Sequence, residues 1–342
     1  MTDPSFTIRP IDLLDPAQHE AGTTWMDVHA AVQRAVFGDR GSAWTLAEIQ
    51  QFHRSGDKRR IDVAAWSGGR LVGALEVMLP VHDNLRHAML WLSVLPGERG
   101  RGIGSALLAE GERIAAGEGR SVLTAETEWA AGGRDLAEEF ATRHGFAAAQ
   151  TVLRSEQRLP VDRQLLADVV SADGAEEYAV EGFVDEMPES WLDDRAVLQQ
   201  RMSTDAPTDD LDVEEEVWDA DRLRRNQARD RAAGRRVVES VARHRPSGRL
   251  VGFTTVSVSV ATPDLGYQQD TLVLREHRGH GLGRRLKAAN ALRLMDALPV
   301  VTSVRTWNAA SNTPMLTVNR DLGYAVDGTS REWQKTTVGV PR

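Results

Sequence analysis

The sequence of 342 residues contains no cysteine. Disulfides, thiol nucleophiles and zinc or iron–sulfur centres built on thiolates are thereby excluded. Long apolar runs are missing as well, and none approaches the roughly 20 residues that a membrane-spanning helix needs. The opening MTDPSFTIRPIDLLDP has neither the basic start nor the apolar centre of a signal peptide. A cytoplasmic chain with no membrane partner is expected. Positive charge is in deficit: 41 Lys and Arg stand against 50 Asp and Glu, a net charge of −9. That balance argues against nucleic acid as a partner, because binding to its backbone is driven by positive surface. The nine histidines are scattered without His-x-x-x-His spacing, so no metal is expected.

What is present is ordinary soluble composition, 41% apolar and 27% charged, in a length that suggests two domains. The chain also repeats itself. GGRLVG at 68–73 returns as SGRLVG at 247–252, and RGRGIG at 99–104 returns as RGHGLG at 278–283, both 179 residues on. His144-Gly145-Phe146 is answered by Leu322-Gly323-Tyr324 at a spacing of 178. Three landmarks in one order indicate two copies of one fold. The join falls near Pro160, giving an N-terminal domain 1–160 and a C-terminal domain 161–342.

Both copies read as alternating helices and strands. In the first, helices are expected at Thr23–Phe37, Thr45–His53, Gly102–Ala116 and Arg134–Arg143. Strands are expected at Ile61–Trp66, Arg70–Met78, Ala88–Val94, Ser121–Thr127 and Phe146–Arg158. In the second, helices are expected at Glu176–Met202, Asp219–Ala233, Gly281–Leu298 and Asn312–Leu322. Its strands are Val237–Ala242, Leu250–Ala261, Tyr267–Leu274, Thr302–Thr306 and a last one from Tyr324. The alternation of Val256, Val258 and Val260 has the period of a half-buried strand. The fold class is therefore α/β, a mixed sheet with helices in each half.

The chemistry resides in Arg99-Gly100-Arg101-Gly102-Ile103-Gly104 and Arg278-Gly279-His280-Gly281-Leu282-Gly283, each placed after a strand and before a helix. Glycines let a ligand approach the backbone, and helix N-terminal amides favour anions. A pyrophosphate fits such a turn. The dinucleotide fingerprint sits at the first strand of its fold and wants an acidic residue further on; the P-loop needs Gly-Lys-Ser/Thr; neither pattern is met.

These segments resemble the acyl-CoA signature of the GNAT superfamily of N-acetyltransferases. The stretch from Asn312 through Asn319 to Gly323-Tyr324 is similar to that family's later helix and its Gly-aromatic ending. The layout is similar to that of tandem GNAT proteins of the mycothiol synthase type. The resemblance implies two acyl-CoA-binding domains and acetyl-CoA as cosubstrate. It implies that Leu92 and Val94, and Leu272, Val273 and Leu274, pair through their backbone with the pantetheine arm. Asn312 is either a helix cap or a contact to that arm, and the two roles are compatible.

An N-acetyltransferase must neutralise its amine, which at pH 7 is only about one part in two thousand free base. It must also polarise the thioester carbonyl, for which an amide near Val273 or Leu274 serves. Asp270, on the strand beside the acyl site, is the first candidate for the base, and Glu239 on a neighbouring strand is the second. Many relatives place an acidic tyrosine four residues before the Gly-aromatic pair. Here that position holds Asn319 in the second copy and Ala141 in the first, and Tyr267 and Tyr324 are the nearby phenols. Trp91 occupies the place of Asp270 in the first copy, where Glu76 is the only strand carboxylate expected near the cleft. The C-terminal domain is therefore expected to carry the chemistry, and the N-terminal domain to bind CoA or serve as a structural partner. The expected function is acetyl transfer from acetyl-CoA to a primary amine of a small molecule. The alternatives are a non-catalytic CoA sensor or a transferase fed by an acyl carrier protein, against which the net negative charge speaks. Either a monomer or a homodimer fits the sequence.

Overall fold

A computed structural model describes residues 6–172 and 176–337. The chain divides into two compact units. Unit 1 comprises Met1–Gln150, Asp210–Asp212 and Ser330–Arg342, and unit 2 comprises Thr151–Asp209 and Val213–Thr329.

In chain order, unit 1 begins with β1 (Thr7–Ile11), α1 (His19–Phe37), α2 (Leu46–Arg54), β2 (Lys58–Ser67) and β3 (Arg70–Pro80). It continues with β4 (His87–Val94), α3 (Ile103–Gly117), β5 (Val122–Ala130), α4 (Glu138–Arg143) and the start of β6 (Ala147–Arg158). Its sheet has the order β1-β2-β3-β4-β5. Neighbours are antiparallel except for the parallel step from β4 to β5. The core on one face holds Leu75, Leu107, Leu123 and Trp333; Trp25, Ile49 and Leu71 fill the other under α1 and α2. Helix α2 starts on a capping box in which Thr45 and Glu48 satisfy each other's backbone amides.

Unit 2 holds the rest of β6, then α5 (Arg163–Ser171), β7 (Tyr178–Val184), α6 (Leu192–Asp205), α7 (Ala220–Ala232), β8 (Arg235–His244) and β9 (Leu250–Ser259). It ends with β10 (Leu265–Val273), α8 (Leu282–Ala297), β11 (Ser303–Ala309), α9 (Thr313–Asp321) and β12 (Tyr324–Thr336), whose residues from Ser330 onward count with unit 1. Its strand order is β6-β11-β10-β9-β8-β7, again with one parallel step, β10 to β11.

The expected helix Glu176–Met202 is two elements. Tyr178–Val184 is a strand paired with β8, and the helix starts only at Leu192 after Pro188. The run YAVEGFV carries Tyr, Val and Phe, which favour strands, and Gly182 weakens a helix there. Strand β1 and helix α5 were not anticipated.

The parallel steps position the site. β4 pairs with β5 only over His87–Leu90, opposite Val122–Ala125, although both strands run on. β10 pairs with β11 only over Leu265–Tyr267, opposite Ser303–Arg305. Beyond those points each pair opens into a wedge. In unit 2 a register shift between Gln268 and Thr271 accompanies the opening. Bulges of this kind re-aim side chains and end pairing.

Candidate active site

The two Gly-rich turns have the same geometry. Gly100 and Gly102 have φ of 75° and 83°, and Gly279 and Gly281 have 87° and 66°. A Cβ at any of the four would meet no atom within 4 Å, so backbone conformation, not crowding, is what demands glycine there. Arg99 Nε donates to the Val94 carbonyl at 3.3 Å, and Arg278 Nε to the Val273 carbonyl at 3.0 Å. Each arginine thus ties its turn to the end of the strand before it.

Helices α3 and α8 begin at Gly102 and Gly281 with no side-chain cap and no acidic residue in the first turn. By contrast α2, α5, α7 and α9 are capped by Thr45, Asp162, Asp219 and Asn312, and α1, α4 and α6, though uncapped, carry acidic residues in their first turns. Bare N–H groups and an uncompensated positive dipole end are what a pyrophosphate requires. Ile103 and Leu282 bury their side chains and so present only backbone to the turn. Gly283 has open space where a Cβ would stand, while one at Gly104 would touch Phe140 at 3.4 Å. His280 is exposed, as is Arg101, which pairs with Glu98. His277 instead bonds Tyr178 through Nδ1 at 3.0 Å, and burial followed by the neighbouring His244 lowers its pKa.

Leu272 and Val273 pair with Phe253 and Gly252 of β9, and Leu92 and Val94 with Leu75 and Gly73 of β3. Their other edge faces the wedge. An extended amide-bearing arm can add there as a strand does. Asn312 caps α9 by accepting from the Met315 amide at 3.2 Å.

Asp270 lies in the register shift of β10, half-buried, and accepts from Gln199 Nε2 at 2.7 Å. Glu239 is buried and bound to Arg195 at 2.9 and 3.3 Å, with Thr255 donating at 2.6 Å. Arg195 also donates to Gln199 at 3.0 Å. The two candidate carboxylates are therefore linked as Glu239–Arg195–Gln199–Asp270. Glu239 is consumed by the ion pair, while Asp270 keeps an oxygen unengaged by Gln199. Asn319 is buried between Lys287 and Asn308. Tyr267 stacks on Trp307, and burial raises the pKa of Tyr324.

Unit 1 differs. His29 stacks on Trp91 at 3.6 Å and bonds Ser93 through Nδ1 at 2.8 Å. Burial lowers its pKa to about 3, so it is neutral. Glu76 is not a cleft carboxylate. It is locked with Arg60 at 2.6 Å and near His53 at 3.6 Å, and His53 Nε2 is also 3.1 Å from Asp62. Burial opposes the His53 charge, but hydrogen bonds to Asp62 and Glu76 hold its pKa up to about 9. These residues offer metal-ligand atoms within 4.8 Å of one another, but the cations of Arg60 and His53 neutralise them. The carboxylates that sequence reasoning missed are Glu126 and Glu128 on β5, past the end of its pairing with β4, and Glu332 on β12. Solvent reaches Glu126, yet surrounding protein, Glu332 and Glu128 push its pKa up to about 8. Period-two spacing of 126 and 128 was a readable signal. Glu332, from the far end of the chain, gave none.

The model of the Acetyltransferase (GNAT) family matches residues 25–146. Among solved structures, the chain is similar to a tandem GNAT protein from the clavulanic acid biosynthesis pathway, 27% identical, with a TM-score of 0.78 over 98% of this chain and 99% of that one. It is also similar to a GCN5-related N-acetyltransferase from Sphaerobacter thermophilus, at 17% identity and a TM-score of 0.67, covering 100% and 99% of the two chains. No protein of curated function matches. Residues 25–146, which lie in unit 1, thus match the model of a family whose chemistry is acyl-CoA-dependent acetyl transfer. The chain as a whole has the tandem GNAT architecture.

Proposed function

We propose that the protein is an acyl-CoA-dependent N-acyltransferase that moves an acetyl group from acetyl-CoA to a primary amine of a small molecule by direct attack on the thioester. The observation that carries this reading is the pair of uncapped helix starts behind left-handed glycines, each beside an opened parallel strand pair. Acetyl-CoA supplies the activated acyl group. The turn amides hold its diphosphate, and the free edge of β10 aligns its arm. An amide near Val273 polarises the carbonyl, and Asp270, steadied by Gln199, takes the proton from the amine. Acetyl-CoA-dependent thiol release with a panel of amines tests this. Turnover should vanish in Gly281→Val and survive in Gly102→Val.

A second reading places the chemistry in unit 1. It is favoured by Glu126, whose raised pKa suits a general base at neutral pH. The same two glycine variants then give the opposite result.

A further inference from the structure

Lys287 is buried on α8, 4% exposed, with Nζ 2.6 Å from Asn319 Oδ1 and 4.6 Å from the ring centre of Tyr324. Asn319 Nδ2 donates onward to Asn308 Oδ1 at 2.6 Å. Asn308 stands on the part of β11 beyond Arg305, where β11 has parted from β10. The three side chains therefore run from the helix behind the glycine turn to the wall of the wedge. Among the described residues no carboxylate pairs with Lys287, and burial alone lowers its pKa to about 7. A buried lysine without counter-charge is costly to keep, and such groups concentrate where chemistry is done.

The duplication supplies an internal control. The positions 179 and 178 residues earlier are Leu108 and Ala141, both buried in unit 1. The lysine and the asparagine occur together in one copy and are replaced together by apolar residues in the other. In unit 2 the lysine thus fills the neighbourhood of a position that holds only an amide.

We propose that Lys287 is the acid of unit 2, meeting the CoA sulfur as the C–S bond breaks, with Asn319 holding its Nζ at the wedge. This rests on the acyl-transfer reading of unit 2. The amine nitrogen bonds to the carbonyl carbon and gives a proton to Asp270. The C–S electron pair goes to sulfur, which takes a proton from Lys287. Solvent returns a proton to Lys287 and removes the one on Asp270. An ammonium that titrates near neutrality is a competent donor to a thiolate whose conjugate acid lies near 8.5.

The test needs no acceptor and no turnover. The thiol of CoA is titrated on the full chain by the ultraviolet absorbance of its thiolate. Wild type is compared with Lys287→Met and with Lys287→Leu/Asn319→Ala, which copies the pair of unit 1. In wild type, a bound fraction should ionise about one unit or more below the free thiol. In both variants that fraction should disappear, while CoA affinity at about pH 6, where the thiol stays protonated, remains within about threefold. Identical thiol titrations in all three proteins overturn the role of Lys287. Absence of CoA binding to wild type overturns the acyl-transfer reading, and the proposal with it.

Discussion

Gln199 Nε2 donates to Asp270 Oδ2 at 2.7 Å, so a residue of α6 fixes the orientation of the carboxylate in the register shift of β10. One carboxylate oxygen stays clear of that bond, as the proposed role of general base requires. Asp270→Asn should lower kcat about a hundredfold at pH 7, the scale of one general base, with little change in KM for acetyl-CoA. The loss should shrink as pH rises and more of the amine arrives as free base. Steady-state rates across pH check this, and an unaltered kcat would remove Asp270 from the reaction.

Arg278 bridges its turn to Val273 at 3.0 Å and also lies 3.4 Å from Asp205. It holds the amides around Gly279 and Gly281 in place before a ligand arrives, and so lowers the cost of ordering them. Arg278→Ala should weaken CoA binding to unit 2 about tenfold, the equivalent of roughly 1.4 kcal/mol. Arg99→Ala should do the same to unit 1. Calorimetry on the two single variants separates the sites, and unchanged isotherms in both would show that the arginines contribute nothing.

The turns were legible because left-handed φ at Gly100, Gly102, Gly279 and Gly281 leaves glycine in the sequence as a local mark. The duplication was legible because both copies keep those marks at one spacing. Glu239 was placed on the right strand as a possible base. Its capture by Arg195, 44 residues earlier, is a tertiary pairing that no local pattern records. Lys287 was hidden for a related reason. A lysine beside Leu286 on a helix reads as a solvated residue, and only the packing of α8 against α9 shows it buried. The edge strand Thr7–Ile11 was missed because its Arg-Pro pair breaks the strand pattern, which an edge tolerates.

Glu239 gives a prediction about stability rather than rate. Glu239→Ala leaves the buried Arg195 guanidinium without its carboxylate, a change that costs about 3–5 kcal/mol in such pairs. Denaturant midpoints should fall accordingly. Because Arg195 also holds Gln199, turnover per folded molecule should decline several-fold through looser placement of Asp270. A stability equal to wild type would mean that the pair is a neutral feature of the core.

Glu126 sets the pH response of unit 1. Although solvent reaches its side chain, the surrounding protein first, and then Glu332 and Glu128, raise its pKa from an ordinary 4.5 to about 8. Between those two values the folded chain keeps a proton that the unfolded chain has lost. The stability linked to that proton is fully present below 4.5 and is lost as pH rises through 8. Glu126→Gln keeps this position neutral at every pH. Wild type and variant should therefore be equally stable near pH 4, and the variant should pull ahead steadily up to about pH 8, with a plateau above it. Part of the slope should persist in the variant, because Glu332 is itself raised to about 7 by burial and by Glu128. Urea midpoints measured across this range decide the matter. Parallel curves for the two proteins would mean that Glu126 is ionised at neutral pH, and with that the case for unit 1 as the site of proton removal would lose its only distinctive support.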